Sequence, residues 1–470
     1  MQAFNHDTYI SPFTWRYGSQ QMRSIFSEKH KRLLLRRIWV ALARAQSEVG
    51  LVSQAQLDEL IATQEEIDIA RASEIEAVIH HDLMAEIKTW AEQCPTAGAI
   101  IHLGATSMDV LDNMDAVRLK EALSLIIEQT EALLSALLQK MEEHEATACM
   151  AFTHIQPAEV TTVGYRLAQS AQDLAEDLCQ LRATRASIRG KGMKGAVGTA
   201  ASYEELLEGT GMSATDLEEK VMAEIGLVAY SAATQVYSRK QDLRVGQALS
   251  NVAATLHKLF FDFRLLQSPP IGEWSEPFAS MQVGSSAMPF KRNPIHSEKI
   301  DSLCRFIEAQ VSPLWYNYAN NLLERTLDDS ANRRLIIGDL FLASDEVLTT
   351  ALKVITGMQI HQGSIERNLD SYAIFAATER LLMELAKRGG NRQEMHELIR
   401  GHSLTAWAAV QQGKENPLKA LLKADEAISS LLTGEEIDTL LDGNAYIGDS
   451  ILRTRLVAEE VKAVLRRSGE

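Results

Sequence analysis

Apolar residues recur at steps of three and four along three long stretches of the chain. The first stretch runs through Leu119, Leu123, Ile126, Leu133, Leu137 and Met141, with Thr130 in the remaining slot. The second runs through Leu167, Ala171, Leu174, Leu178 and Leu181, and the third through Leu249, Val252, Leu256, Leu259, Phe263 and Leu266. This spacing keeps one face of a 3.6-residue helix apolar. Each stretch therefore predicts an amphipathic helix of roughly twenty residues or more, against a globular mean of about 11–12. Long, roughly antiparallel helices pack as bundles. No alternating pattern of useful length predicts a strand, so the expected fold is all-α.

Two irregular stretches break the pattern. Arg189 to Gly211 is glycine-rich and basic at its start, which predicts a loop or a series of short turns. Ser268 to Pro294 contains Pro269, Pro270 and Pro277, which forbid a continuous helix there. A loop that long commonly carries function. Together with the long-helix region these breaks suggest three parts: 1–106, a central bundle at 107–360, and 361–470.

Composition narrows the class. A chain of 470 residues exceeds one ordinary core. With 46% apolar and 23% charged residues it can bury a large one. The formal net charge of −16 excludes nucleic acid as a general partner, while leaving local arginines free to bind a small anion. The four cysteines, Cys94, Cys149, Cys179 and Cys304, form no CxxC pair. Cys149 and Cys179 fall in expected helical segments and read as buried thiols in a reducing, cytoplasmic setting. The N-terminal stretch lacks a basic region followed by an apolar core. No apolar run approaches the ~18 residues of a membrane span.

Four stretches carry candidate chemistry, and each has a plainer reading. Gly284 to Pro294, GSSAMPFKRNP, reads as a surface connector or as an anion-holding loop that presents a serine. A serine hydroxyl becomes a base only where positive charge and N–H donors stabilise its alkoxide; Lys291 and the loop backbone offer both. In AFTHIQPAEVTTVG, His154 lies beside Thr153 and Gln156 before a long helix. It serves either as part of a helix entry capped by Thr161 or Thr162, or as a proton donor near neutral pH. In IIHLGATSMDVLDN, Thr106 and Ser107 precede a helix expected near Asp109, either as a simple cap or as an anion site at a helix N-terminus. In ERTLDDSANRR, Arg325, Arg333 and Arg334 lie near Ser330, Asp328 and Asp329, as a salt-bridged face or as two-pronged anion ligands. Two weaker clusters are His80-His81-Asp82 and Arg16-Tyr17. No HExxH, GxxxxGK[ST] or strand-borne GxGxxG is present. A hydroxyl base, a histidine acid and several anion donors suit a lyase acting on a dicarboxylate: one group removes a proton beside a carboxylate and another protonates the leaving atom.

GSSAMPFKRNP resembles the GSSxMPxKxNP signature of the fumarase/aspartase superfamily, whose members release fumarate by β-elimination. The stretches THIQPAEVTTVG, IHLGATSMDVLDN, HHDLMAE, SPFTWRYGS, QVYSRK and ERTLDDSANRR resemble those of adenylosuccinate lyases, particularly the form found in animals and some bacteria. They are collinear from about residue 11 to 402, and GGNRQEMHELIR falls in the third part. The resemblance implies three helical domains, with the central helices forming a twenty-helix core in a homotetramer whose active sites are shared between subunits. It implies cleavage of adenylosuccinate to AMP and fumarate, and of the succinyl-carboxamide ribotide SAICAR to AICAR and fumarate, with no cofactor. It assigns Ser285 as the base and His154, flanked by Thr153, as the acid. It places Arg16 and Tyr17 on the nucleotide phosphate, and His80, His81, Asp82, Thr106, Ser107 and Gln235 on substrate. Lys291 and Asn293 face the fumarate portion, and Arg325, Ser330 and Arg334 the ribose and phosphate. His80 and Lys299 stand where relatives often carry arginine, which bears on the balance between the two substrates. Argininosuccinate lyase is the nearest alternative, sharing the loop; a nucleotide-binding module or a lyase-derived scaffold without activity would not need both Ser285 and His154.

Overall fold

The computed structural model describes residues 7–279 and 281–467. The chain divides into two compact units. One comprises residues 1–130, 177–254 and 302–349; the other 131–176, 255–301 and 350–470. Both are helical. The three predicted long helices are present as Ser107–Glu143, Val163–Ser187 and Lys240–Gln267, and a fourth spans Asp328–Gly357. Each of these four contributes residues to both units.

The first unit buries two apolar clusters. Helix Glu28–Ser47 starts at Ser27, whose hydroxyl accepts the His30 N–H at 3.2 Å, the usual remedy for a free N-terminal donor. One face of this helix carries Leu34, Leu35, Ile38 and Trp39, which pack with Leu83, Ile87 and Trp90 of helix Asp82–Gln93. Another carries Ala41, Leu42 and Ala45, which pack with Tyr203, Leu217 and Val221. Arg36 is fully buried in this helix. Its guanidinium meets the Glu86 carboxylate at 2.8 Å and the carbonyls of Thr63 and Glu66 at 3.0 and 3.1 Å, so the charge is paired rather than stranded. The core of the second unit is formed by Ala377, Leu381 and Leu385 of helix Gln362–Lys387 with Ile399, Leu418, Leu422, Ile428 and Ile437.

The sequence pattern misses the strands, of which the longest form one hairpin. Residues 148–162 form an antiparallel hairpin, β1 (Ala148–Thr153) and β2 (Gln156–Thr162), with Thr153 opposite Gln156. The two residues between them, His154 and Ile155, have φ of 53° and 60°. Two successive positive-φ residues are what a tight hairpin turn requires, but that turn favours Asn-Gly rather than His-Ile. Cys149 therefore lies on a strand, not a helix. It is buried, and burial pushes its thiol up to about 12. Cys179 is in the expected helix but is exposed, contrary to the buried-thiol reading. The helix entry stands: Thr162 Oγ1 accepts the Tyr165 N–H at 3.2 Å at the start of Val163–Ser187. Among the described residues, no helix is long and apolar enough to cross a membrane.

Candidate active site

In the first unit, a cleft of about 340 Å³ is lined by Asp82, Arg325, Ser330 and Arg334 together with Lys31 and Arg118. With Arg333, which also lines the cleft, five of the residues singled out from the sequence meet in one place. Arg334 donates to Asp82 at 2.9 Å across 252 positions of chain. Burial alone would raise the Asp82 carboxyl. The Leu83 N–H, Lys31, Arg334 and His81 outweigh it and hold the group below the usual carboxylate value. Asp82 is delivered by a helix-to-helix elbow. His80, at φ 53°, ends helix Ile69–Ile79, and His81 Nδ1 accepts the Met84 N–H at 3.2 Å to start Asp82–Gln93. Of these three residues Asp82 lines the cleft, while His80 and His81 form the helix-to-helix elbow.

Arg333 and Arg334 are neighbours with different fates. Arg334 is 62% exposed. Arg333 is buried, donating to Asp242 at 2.7 Å and to the Tyr237 hydroxyl at 2.8 Å. Arg239, also buried, joins Asp112 at 3.0 Å and Asp329 at 2.7 Å, and Asp329 in turn accepts from Arg325 at 3.0 Å. The salt-bridged reading thus holds for Arg333, while Arg325 bridges this buried network and the open cleft. Gln235 is tied to the same segment, its N–H donating to the Glu324 carbonyl at 3.2 Å.

Thr106 and Ser107 stand at the start of helix Ser107–Glu143, whose Met108 and Leu111 also line the cleft. The Thr106 N–H donates to the Asp109 carboxylate, and the Asp109 N–H to the Thr106 carbonyl, both at 3.0 Å. Asp109 is buried and also accepts from Lys191, from the Lys194 and Gly195 amides at 3.1 Å, and from the Tyr203 hydroxyl at 3.3 Å. It fastens the glycine-rich segment to the helix start. Arg16 sits over the rings of Trp15 and Tyr17, at 5.7 and 5.9 Å from their centroids. Gly18 follows at φ 81°; a Cβ there would stand 2.7 Å from Leu342, a residue of the cleft.

The serine loop and the histidine belong to the second unit. Ser285 Oγ accepts the N–H groups of Ala287 and Met288 at 3.3 and 3.1 Å. Two donors on one hydroxyl oxygen favour negative charge on it. Asn293 donates to the Gly284 carbonyl at 3.4 Å, and Lys291 is exposed. A Cβ on Gly284 would meet the Lys291 carbonyl oxygen at 2.1 Å, so only glycine fits this approach. Lys299 is half-buried in helix Ile295–Ala309. His154 is exposed at the hairpin tip, with Thr153 beside it. Sequence reasoning missed Asp109 as a hub, the Arg239–Asp329 pair, and Glu276, whose carboxylate accepts the Ser297 N–H and hydroxyl, each at 2.6 Å. Buried acids such as these carry no local pattern; only the packing reveals them.

Solved structures with this fold include the 3-carboxy-cis,cis-muconate lactonizing enzyme from Pseudomonas putida, at a TM-score of 0.85 and 24% identity, covering 96% of this chain and 99% of that one. A family model described as "Lyase" matches residues 12–308, and one described as "Adenylosuccinate lyase C-terminus" matches residues 375–452. The adenylosuccinate lyase of Schistosoma mansoni is 39% identical over 453 residues, covering 95% of this chain and 93% of that protein. That of Saccharomyces cerevisiae is 37% identical over 450 residues, covering 94% and 92%. The family model over residues 12–308 places the chain among the lyases. Within that class, the chain belongs to the adenylosuccinate lyase family.

Proposed function

We propose that the protein cleaves adenylosuccinate to AMP and fumarate, and SAICAR to AICAR and fumarate, by β-elimination without a cofactor. The observation that carries this reading is the Ser285 loop: a hydroxyl oxygen already facing two N–H donors, in a segment that also supplies Lys291 and Asn293. Ser285, as the alkoxide, takes the proton from the succinyl Cβ. Lys291, Asn293 and the loop backbone stabilise the carboxylate on which charge develops. His154 protonates the departing nitrogen, and fumarate leaves. The cationic cleft of Arg325 and Arg334, with Ser330, Arg16 and Tyr17, takes the ribose and phosphate. His80, His81, Asp82, Thr106, Ser107, Thr153, Gln235 and Lys299 complete the contacts. His80 and Lys299 tune the preference between the two substrates, since lysine keeps the charge of arginine but not its fork geometry. The protein acts as a cytoplasmic homotetramer with a twenty-helix core and the domain division 1–106, 107–360 and 361–470. Its active sites draw on more than one copy, which accords with His154 standing exposed at a hairpin tip.

The test is turnover of a substrate panel by the purified protein: adenylosuccinate, argininosuccinate and aspartate, with fumarate measured in each. Fumarate from adenylosuccinate alone is the expected result. Fumarate from argininosuccinate alone would retain the loop assignment and remove the phosphate-site assignment. Silence with all three, from a folded tetramer, would favour a scaffold without activity.

A further inference from the structure

The serine loop is held at its base by side chains that none of the assigned roles uses. Glu276 lies at the entry to the loop, ten residues after helix Lys240–Gln267 has passed Leu266. Its carboxylate reaches the exit: it accepts the His296 N–H at 3.2 Å, and the Ser297 N–H and hydroxyl at 2.6 Å. Glu276 is 7% exposed and Ser297 is fully buried, so these bonds are formed away from water, where charge-assisted bonds are strongest. The acceptor also sits at the N-terminus of helix Ile295–Ala309, where free N–H groups and the helix dipole favour a negative group. Gln267 forms a second tie across the same base. Its side-chain oxygen accepts the Glu276 N–H at 2.9 Å, and its side-chain nitrogen donates to the Arg292 carbonyl at 3.2 Å.

The entry itself is fixed from behind. Glu273 is fully buried; it accepts from Arg166 at 2.7 Å and from Asn368 at 3.0 Å, and its carbonyl accepts the His361 N–H at 2.8 Å. The strand pair β3 (Trp274–Ser275) and β4 (Gln359–Ile360) follows directly. Position 276 therefore cannot drift, and whatever it grips is held in turn. Its carboxylate holds residues 296 and 297, and Gln267 holds the Arg292 carbonyl; Lys291, Asn293 and Lys299 lie beside or between these ties. Asn293 then reaches the Gly284 carbonyl, one residue before Ser285.

We infer that Glu276, seconded by Gln267, is the positioning residue of this site: it clamps the base of the loop so that Ser285, Lys291 and Asn293 hold one mutual geometry. The inference rests on the serine assignment above. A clamp of this kind affects the chemical step more than binding, because misplacement of about 1 Å at reacting groups costs about 10²-fold in rate.

The experiment compares wild type, Glu276→Gln, Ser297→Ala, Ser285→Ala and the double variant Glu276→Gln/Ser285→Ala. Two readouts are taken: steady-state turnover of adenylosuccinate, and the rate of tryptic nicking after Lys291 or Arg292, both exposed. Glu276→Gln should lower kcat about 10- to 100-fold with KM changed less than about threefold, and raise the nicking rate at least about fivefold. In the Ser285→Ala background the same change should lower residual activity by less than about twofold, since a clamp that acts through the serine has nothing left to position. Should Glu276→Gln fail to fold, Ser297→Ala, which removes a single donor, carries the same test at a kcat loss of about three- to tenfold. Wild-type kcat and nicking in these variants would overturn the inference. So would an equal loss of activity in the presence and absence of Ser285. A wild-type protein that is silent on adenylosuccinate would refute the proposed function instead; nicking alone would then decide the clamp, with acceleration upholding it and an unchanged rate overturning it.

Discussion

Replacing Gly284 with alanine adds one methyl group at a known place. The new Cβ would stand 2.1 Å from the Lys291 carbonyl oxygen and 3.3 Å from the Phe278 ring. The first contact is with backbone, so no rotamer change relieves it. The chain at Lys291 must retreat by roughly 1 Å to restore an ordinary contact, and Asn293, bonded to the Gly284 carbonyl, must shift with it. Displacement of that size at groups that stabilise developing charge costs about 10² in rate, or about 2.7 kcal/mol of transition-state stabilisation. The loop is largely exposed, so global stability should fall by less than about 1 kcal/mol. The assay is kcat on adenylosuccinate, read beside the thermal midpoint of the same preparation. A Gly284→Ala protein with kcat within threefold of wild type would refute the claim that this close approach sets the loop's active geometry. A large loss of thermal midpoint would show that the loop contributes to folding, which the reasoning denies.

The hairpin tip should show strain kept for function: Ile155→Gly should raise stability by about 1 kcal/mol, read from a denaturant midpoint, because a β-branched residue pays to occupy φ 60°. The same gain is expected for His154→Gly, but with turnover lost; a His154→Gly protein of normal kcat would remove the acid assignment. Arg334→Ala should change stability by less than about 1 kcal/mol, since the arginine itself is largely exposed, yet raise KM for adenylosuccinate at least about tenfold; an unchanged KM would remove it from the phosphate site. Burial depresses His102, with Asp109 opposing and His81 adding to the effect. The unfolded chain then binds the extra proton first, so stability present above about pH 6.5 is lost as pH falls through that value towards the folded one. Denaturant midpoints at pH 7.5 and 5.5 should converge in His102→Asn, which can still accept the Trp39 N–H bond now made to Nδ1; an identical pH slope in both proteins would contradict this. If the active site is shared, mixing inactive Ser285→Ala and His154→Ala tetramers should restore about a quarter of wild-type activity after subunit exchange, and no recovery would argue for sites within one copy.

The long helices were legible because their apolar stripes continue for many turns, so a single misplaced residue, Thr130, does not obscure the period. The β1–β2 hairpin was not legible. Its strands are six and seven residues long, a bulge between Met150 and Phe152 breaks the alternation, and His-Ile stands where a turn signal would be Asn-Gly. Cys149 was misplaced with it. The chemistry was more legible than the packing beneath it. Ser285, Lys291 and Asn293 fall within nine residues, and Arg325, Ser330 and Arg334 within ten, so each group could be read as a motif. That Arg333 is buried while Arg334 is exposed depends on Asp242 and Tyr237, about ninety residues away. Glu276 grips Ser297 across a loop whose path no periodicity encodes.

The central claim is that Ser285 removes the proton that starts the elimination. The measurement is kcat of Ser285→Ala on adenylosuccinate, with fumarate release and loss of substrate absorbance followed together, on protein whose circular dichroism matches wild type. The account predicts a fall of at least about 10³- to 10⁴-fold with fold intact. Turnover within tenfold of wild type would contradict it and shift the search for the base elsewhere in the site.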